Sequence, residues 1–180
     1  MRYKLFLQCK FILVAFLNFT CIFLPYPLRN IYLRLFGIKI PLSSCIHRNV
    51  KLFHIGNIEC GKNTVINFGC YLDNRRKIVI GNNVGIAHDT KIYTLGHDLN
   101  DPEFRTKGKN VIIKDNVFVF SNTLIMPGVT IGEGAIILAG SVVIHDVEPY
   151  TIVAGNPAKK IKMRTANVRY KNNYNYWFAL

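Results

Sequence analysis

From Ile113 the chain reads IKDNVF VFSNTL IMPGVT IGEGAI ILAGSV VIHDVE PYTIVA, seven consecutive blocks of six residues ending at Ala154. Six of the seven open on an aliphatic residue. The fifth place holds Val117, Thr123, Val129, Ala135, Ser141, Val147 and Val153, always small or β-branched. A period of six with one inward aliphatic residue per block describes a short strand followed by a turn. Asp-Asn, Pro-Gly and Glu-Gly fall where the turns belong, as turn chemistry requires. One such block cannot bury its apolar residue, whereas stacked blocks make a continuous core.

The frame extends upstream. IGNNVG, IAHDTK and IYTLGH follow from Ile80, and CGKNTV and INFGCY from Cys60, slipped by two residues. Ile46 and Leu52 open two weaker blocks. Residues 46–157 are therefore expected to form an all-β solenoid, a parallel β-helix of hexapeptide repeats. The strongest break is HDLNDPEFRTKGKN, residues 97–110, which must leave the coil as a loop. Long loops on a rigid scaffold tend to carry function. A smaller break holds Arg75 and Arg76.

The flanks differ from the coil. Residues 1–45 open with the apolar run LFLQCKFILVAFLNFTCIFL from Leu5 to Leu24, close to the ~20 residues that cross a bilayer. At about 100° per residue, Lys4, Gln8, Lys10 and Asn18 share one broad side of a helix, which suits an in-plane interfacial helix as well as a spanning one. A helix docked on the coil is the third reading. The apolar run lacks a small-x-small cleavage site after it, which argues against a secretory signal. PYP at Pro25–Pro27 ends the helix. LRNIYLRLFGIKI then looks basic and amphipathic, as a segment resting on anionic lipid would. Residues 158–180 read as a basic tail or short helix.

The whole chain has 180 residues and a formal net charge of +13, a balance that suits an anionic partner: nucleic acid, a membrane surface or a phosphorylated small molecule. The repeats lack an interleaved aromatic stacking platform and the basic residues gather at the termini, so nucleic acid is not expected. Five cysteines, an odd number with no CxxC pair, are expected as free, mostly buried thiols rather than a disulfide framework or zinc site.

Three stretches, GIAHDTKIYTLGHDLND, NVFVFSNTLIMPGVTIGEGAIILAGSVV and VAGNPAKKI, resemble the hexapeptide-repeat acyltransferases. The likeness is strongest to the branch of maltose, galactoside, nodulation and polysaccharide O-acetyltransferases, and it covers about two-thirds of the chain. It implies a left-handed β-helix, a homotrimer with clefts between subunits, and acetyl transfer from acetyl-CoA to a hydroxyl. It implies that His97, in the GHD element where the chain leaves the coil, is the catalytic residue. Asn67, in NFG, matches an asparagine of the acceptor site, although a turn residue bonding its own backbone fits it too. Phe118 stands where relatives place a tryptophan beside CoA. Gly140 and Ser141 are needed at a coil corner in any reading, and relatives bring backbone there close to CoA. Lys159 and Lys162 match basic residues near CoA phosphates or belong to a solvated tail. Arg75 and Arg76 lie where sugar-specific relatives carry acidic acceptor-binding residues, which points to a different acceptor. His145 replaces a lysine that contacts CoA in some relatives.

An acetyl thioester is already activated, so the missing component is a deprotonated hydroxyl. An imidazole, which titrates near ~6.5 when unperturbed, suits that task as general base. Backbone N–H groups or the Asn67 amide could stabilise the oxyanion. No metal is expected. The expected acceptor is a small-molecule or lipid-linked sugar of surface-polysaccharide biosynthesis, and the expected location is the cytoplasm, at the inner face of the cell membrane. The alternatives are a metalloenzyme resembling γ-type carbonic anhydrase, which needs a third histidine beside His88 and His97, and a non-catalytic scaffold.

Overall fold

The structure, a computed structural model, describes residues 2–165, 167–172 and 176–177. Two helices, α1 (Arg2–Cys21) and α2 (Leu28–Leu35), precede the coil. The first turn holds β1 (Cys45–Ile46), β2 (Lys51–Leu52) and β3 (Ile58–Cys60), and the second β4 (Val65–Ile66), β5 (Tyr71–Asp73) and β6 (Ile78–Ile80). The third holds β7 (Gly85–Ile86) and β8 (Lys91–Tyr93), leaves the coil through β9 (Leu95–His97) and β10 (Thr106–Gly108), and re-enters with β11 (Val111–Ile113). The fourth holds β12 (Phe118–Val119), β13 (Leu124–Ile125) and β14 (Thr130–Ile131). Then come β15 (Ile136–Ile137), β16 (Val142–Val143), β17 (Thr151–Ala154) and β18 (Lys159–Met163).

The strands stack into three sheets, the walls of a triangular prism of about five turns. The first wall runs β1-β4-β7-β12-β15-β17-β18, the second β16-β13-β8-β5-β2, and the third β14-β11-β6-β3. Every pairing along the coil is parallel; the two antiparallel pairs are β9 with β10, and β17 with β18. The register shows the period directly. Phe118 stacks over Ile136, eighteen residues on, which is three hexads. Val65 stacks over Gly85, twenty residues on, because each early turn holds two extra residues. Gly85 stacks over Phe118, thirty-three residues on, because the β9–β10 excursion intervenes.

The physical content of the hexad is borne out place by place. The openers Ile113, Val119, Ile125, Ile131, Ile137 and Val143 are buried, and so are all seven residues of the fifth place. The fourth place turns the corner in the left-handed region: Asn49, Asn63, Asn83, Asp89, Asn116 and Asn122 have φ between 56° and 61°, and Gly69, Gly128, Gly134 and Gly140 alternate with them. Asn, Asp and Gly are the residues that tolerate this conformation most readily. The last hexad departs from the frame: Pro149 is exposed, and burial resumes at Thr151 and Val153, where β18 folds back on β17. The two-residue insertion in the second turn is pinned by polar contacts. Buried Asn74 donates to the carbonyls of His54 and Gly56 at 2.7 Å each, and accepts from the His54 amide at 2.8 Å.

The N-terminal helices close the open end of the prism. Leu17 is 0% exposed, and with Cys21, Leu33, Ile38 and Ile40 it joins the coil's own core. Asn18 acts as a surrogate strand: its amide donates to the Leu52 carbonyl at 2.8 Å and accepts from the Leu52 amide at 2.9 Å. Arg29 does not rest on lipid as its basic, amphipathic surroundings suggest. It is buried and donates to the carbonyls of Cys21 and Leu24, which the end of α1 leaves unpaired, and to that of Ile46, which has no strand beneath it in the first turn.

The C-terminal segment is not a helix where it is described. It begins with β18 and returns along the coil. Arg164 donates to the carbonyls of Asn116 and Gly134, and Asn83 bonds the backbone at Tyr170 and Asn172. Three of the five cysteines are buried, Cys60 is partly so, Cys9 is exposed, and all are free thiols.

Candidate functional site

The excursion expected at 97–110 is an ordered hairpin rather than a flexible loop. His97 closes β9 opposite Thr106 in β10. The tip is held by charge: Lys107 donates to Asp98 at 2.8 Å, and Arg105 to Asp101 at 2.5 Å. These hydrogen bonds hold both carboxylates below their usual range. They are exposed pairs, so their use is to shape the hairpin rather than to add stability.

His97 is exposed, and its ring is fixed on two sides. Its Nδ1 lies 2.6 Å from the Phe104 carbonyl oxygen, and the two rings stack with centroids 4.4 Å apart and planes within 6°. A carbonyl oxygen only accepts, so this bond requires the proton on Nδ1. In the neutral imidazole Nε2 then keeps its lone pair. Phe104 has φ of 50°, a left-handed conformation disfavoured by about 1 kcal/mol for an L residue, while its carbonyl and ring both engage His97.

His97 lines a cleft of about 570 Å³ with Tyr93, Leu95, Gly96, Leu99, Lys107, Gly108, Lys109, Met126 and Pro127. The wall is drawn from β8, both arms of the hairpin and the next turn of the coil. It offers an apolar lining, two lysines and one histidine. Sequence reasoning missed Tyr93, Lys107, Lys109 and Met126. Two signals were present: the lysines lie within the excursion, and Met126-Pro127 stacks one turn beyond β8, because Ile125 is paired with Ile92.

The other candidates do not all meet His97 within one chain. Asn67 follows β4 at the corner between the first and second walls, where its amide donates to the Ile86 carbonyl at 3.1 Å. Phe118 opens β12 on the first wall, with its ring against Gly85 and 4.9 Å from Phe120. Gly140 turns that corner higher up at φ of 70°, and Ser141 is buried with its hydroxyl donating to the Leu138 carbonyl. Lys159 and Lys162 are exposed on β18. His97 lies at the opposite edge of the second wall, after β8. The candidates therefore form two groups separated by the width of that wall.

Arg75 and Arg76 also part company. Arg75 is a bidentate partner of buried Asp73, at 2.8 and 2.7 Å, and stacks 4.5 Å from the Phe53 ring centre; the Asp73 bonds raise its pKa. It is engaged by the coil. Arg76 is exposed and runs beside Gly108 of the hairpin, close to the cleft. His145 and His88 are exposed away from the cleft lining. Among the described residues no three His, Cys, Asp or Glu side chains gather as a metal-ligand cluster.

Comparison with known proteins adds three findings. Residues 110–145 match the family model described as bacterial transferase hexapeptide (six repeats). A galactoside O-acetyltransferase of Escherichia coli K12 is 36% identical over 122 residues, 66% of this chain and 59% of that protein. The chain spans between 53% and 62% of the length of the first curated relatives it matches. Among solved structures, a maltose O-acetyltransferase from Clostridium difficile 630 is 31% identical with a TM-score of 0.82, covering 89% of both chains. A hexapeptide-repeat acetyltransferase of Vibrio cholerae, complexed with acetyl-CoA, is 27% identical with a TM-score of 0.73 over 88% of both chains.

Proposed function

The chain belongs to the hexapeptide-repeat acyltransferase family, and on that premise we propose that it is an acetyl-CoA-dependent O-acetyltransferase acting on a sugar hydroxyl. The observation that carries the chemistry is the Nδ1 bond of His97 to the Phe104 carbonyl, which leaves Nε2 as the base at the wall of the cleft. Nε2 takes the proton of the acceptor hydroxyl as its oxygen attacks the thioester carbonyl. The resulting imidazolium, still donating from Nδ1, returns that proton to the departing CoA sulfur as the C–S bond breaks. The base is thereby regenerated, and no covalent enzyme intermediate is required.

The two groups of candidate residues support assembly as a homotrimer. Asn67 at one edge of the second wall, with Phe118 on the adjoining first wall, would face His97 at the other edge of a neighbouring copy. The Asn67 amide would then serve the oxyanion or the acceptor. Phe118, Gly140, Lys159 and Lys162 would border the CoA arm of the cleft. Arg76 is favoured over Arg75 as an acceptor contact, because Arg75 is held by Asp73. The cation beside the cleft fits an anionic or lipid-linked saccharide of surface-polysaccharide synthesis. Acetyl-CoA is a cytoplasmic metabolite, so we place the reaction on the cytoplasmic side, with the helical end of the prism at the inner face of the membrane.

The test is turnover of purified protein with acetyl-CoA and a panel of neutral and acidic saccharides. Release of CoA thiol should accompany a mass gain of one acetyl group on the sugar. CoA binding with no transfer to any saccharide would overturn the acceptor class. Stoichiometric zinc with hydration of carbon dioxide to bicarbonate would overturn the reaction.

A further inference from the structure

The two helices that close the prism turn Asn18, Arg29 and Asn30 inward beside a few apolar residues, and leave most of their large apolar side chains outward. In α1, Val14, Leu17, Asn18 and Cys21 meet the coil. On the opposite side, at helical spacing, Leu5, Ile12, Phe16 and Phe19 form one stripe, continued past the helix end by Phe23, with exposures between 55% and 69%. In α2, Arg29, Asn30 and Leu33 face inward, while Leu28, Ile31 and Leu35 are exposed. A helix covering a core beneath water needs only the first of these two apolar faces. An apolar surface of this extent marks a contact with another apolar phase or molecule.

Charge identifies the occupant. Residues 1–58 carry eight Lys or Arg and no Asp or Glu. A second copy laid on this face would bring like charges together, whereas an anionic lipid surface would attract them. Packing decides the mode. Val14, Leu17 and Cys21 are buried against the coil and Asn18 bonds the Leu52 backbone, so α1 lies along the end of the prism and cannot pass lengthwise through a hydrocarbon core.

We propose that α1 and α2 form an interfacial anchor that lies in the plane of an anionic bilayer without crossing it, its Phe16–Phe19–Phe23 face in the acyl boundary. This rests on the membrane placement proposed above and not on the acetyl-transfer chemistry. It sets the prism axis away from the bilayer and the His97 cleft two turns from the lipid, within reach of a lipid-linked acceptor but not of the headgroups themselves.

The experiment is flotation of the full chain with phosphatidylcholine vesicles, with and without phosphatidylglycerol, for wild type and for the triple variant Phe16→Ser, Phe19→Ser, Phe23→Ser. The replaced rings are exposed, so the variant should melt with wild type and keep its turnover on a water-soluble acceptor. Wild type should float only with the anionic vesicles, be released by high salt or alkaline carbonate, and lose about tenfold or more of its binding in the variant. Carbonate-resistant insertion would overturn the in-plane mode. Undiminished flotation of the variant would overturn the assigned face alone. A wild type that floats with no vesicle, and whose solution mass falls in the variant, would assign the face to a second copy and overturn the membrane placement. Turnover on the soluble acceptor reports separately on the chemistry.

Discussion

Replacement of His97 by Asn separates the two things that the imidazole does. The Asn amide nitrogen can occupy the place of Nδ1 and donate to the Phe104 carbonyl, so the hairpin keeps the contact now made at 2.6 Å. It has no atom at the place of Nε2. The variant thus removes the base and leaves the positioning bond. An exposed hydrogen bond of this kind is worth about 1 kcal/mol or less, so even its complete loss should move the melting temperature little. Loss of a general base costs about 10²- to 10⁴-fold in rate, or roughly 3–5 kcal/mol of barrier. The loss should appear in kcat, with the KM for acetyl-CoA nearly unchanged, because the base acts only as the hydroxyl is deprotonated. The assay is thiol release from acetyl-CoA, read as kcat and KM for wild type and variant. A variant that keeps more than about a tenth of wild-type kcat, or whose defect lies in KM alone, would refute the assignment of Nε2 as base.

Three further outcomes follow from the geometry. Asn18→Ala removes both bonds to the Leu52 edge and should cost about 2 kcal/mol, lowering the melting temperature by ~4–8 °C; an unchanged melt would mean that the helix does not hold the first turn. In Gly85→Ala the new Cβ would lie 2.5 Å from the Phe118 ring, so the ring must swing away. Raised KM for acetyl-CoA is expected, with about 1–3 kcal/mol of destabilisation, and an unaltered KM would remove Phe118 from the cofactor side. Burial pushes the thiols of Cys21 and Cys45 up to about 11 and that of Cys70 up to about 12, from 9.0. The folded state then keeps protons that the unfolded chain releases, so their contribution is complete below about pH 9 and is lost as pH rises toward 11 and 12. Burial pushes the Cys60 thiol up to about 12 as well. Each thiol steepens the alkaline loss by up to ~1.4 kcal/mol per pH unit, and Cys70→Ala should flatten the pH dependence of stability by about a quarter between pH 9 and 11.

The coil was legible in the sequence because its requirements are local to each hexad. An inward aliphatic residue, a small fifth residue and an Asn or Gly at the corner recur every six places whatever the rest of the chain does. The departures were legible for the same reason: a broken frame marked both the insertion at Arg75 and the excursion at His97. What the excursion becomes was not legible. Its hairpin depends on pairs such as Asp98 with Lys107, and the tautomer of His97 depends on a carbonyl that only the left-handed turn at Phe104 presents.

The flanks show the division most sharply. Composition alone identified an apolar first segment and a basic one after it, and periodicity gave each a polar side. It could not say which side faces the coil. Asn18 and Arg29 turn inward because the first turn of a parallel β-helix exposes backbone groups that no further strand will pair, and a buried amide or guanidinium satisfies them. With Asn18 and Arg29 spent there, the phenylalanines at 16, 19 and 23 are left outside. Likewise, Asn67 and His97 carry separate sequence signals of one chemistry, yet their corners lie across a whole wall of the prism. The sequence by itself determined the repeat, its breaks and the residues suited to the reaction. The tertiary structure decided which of them meet within one chain, because that depends on the wall each corner joins rather than on the period they share.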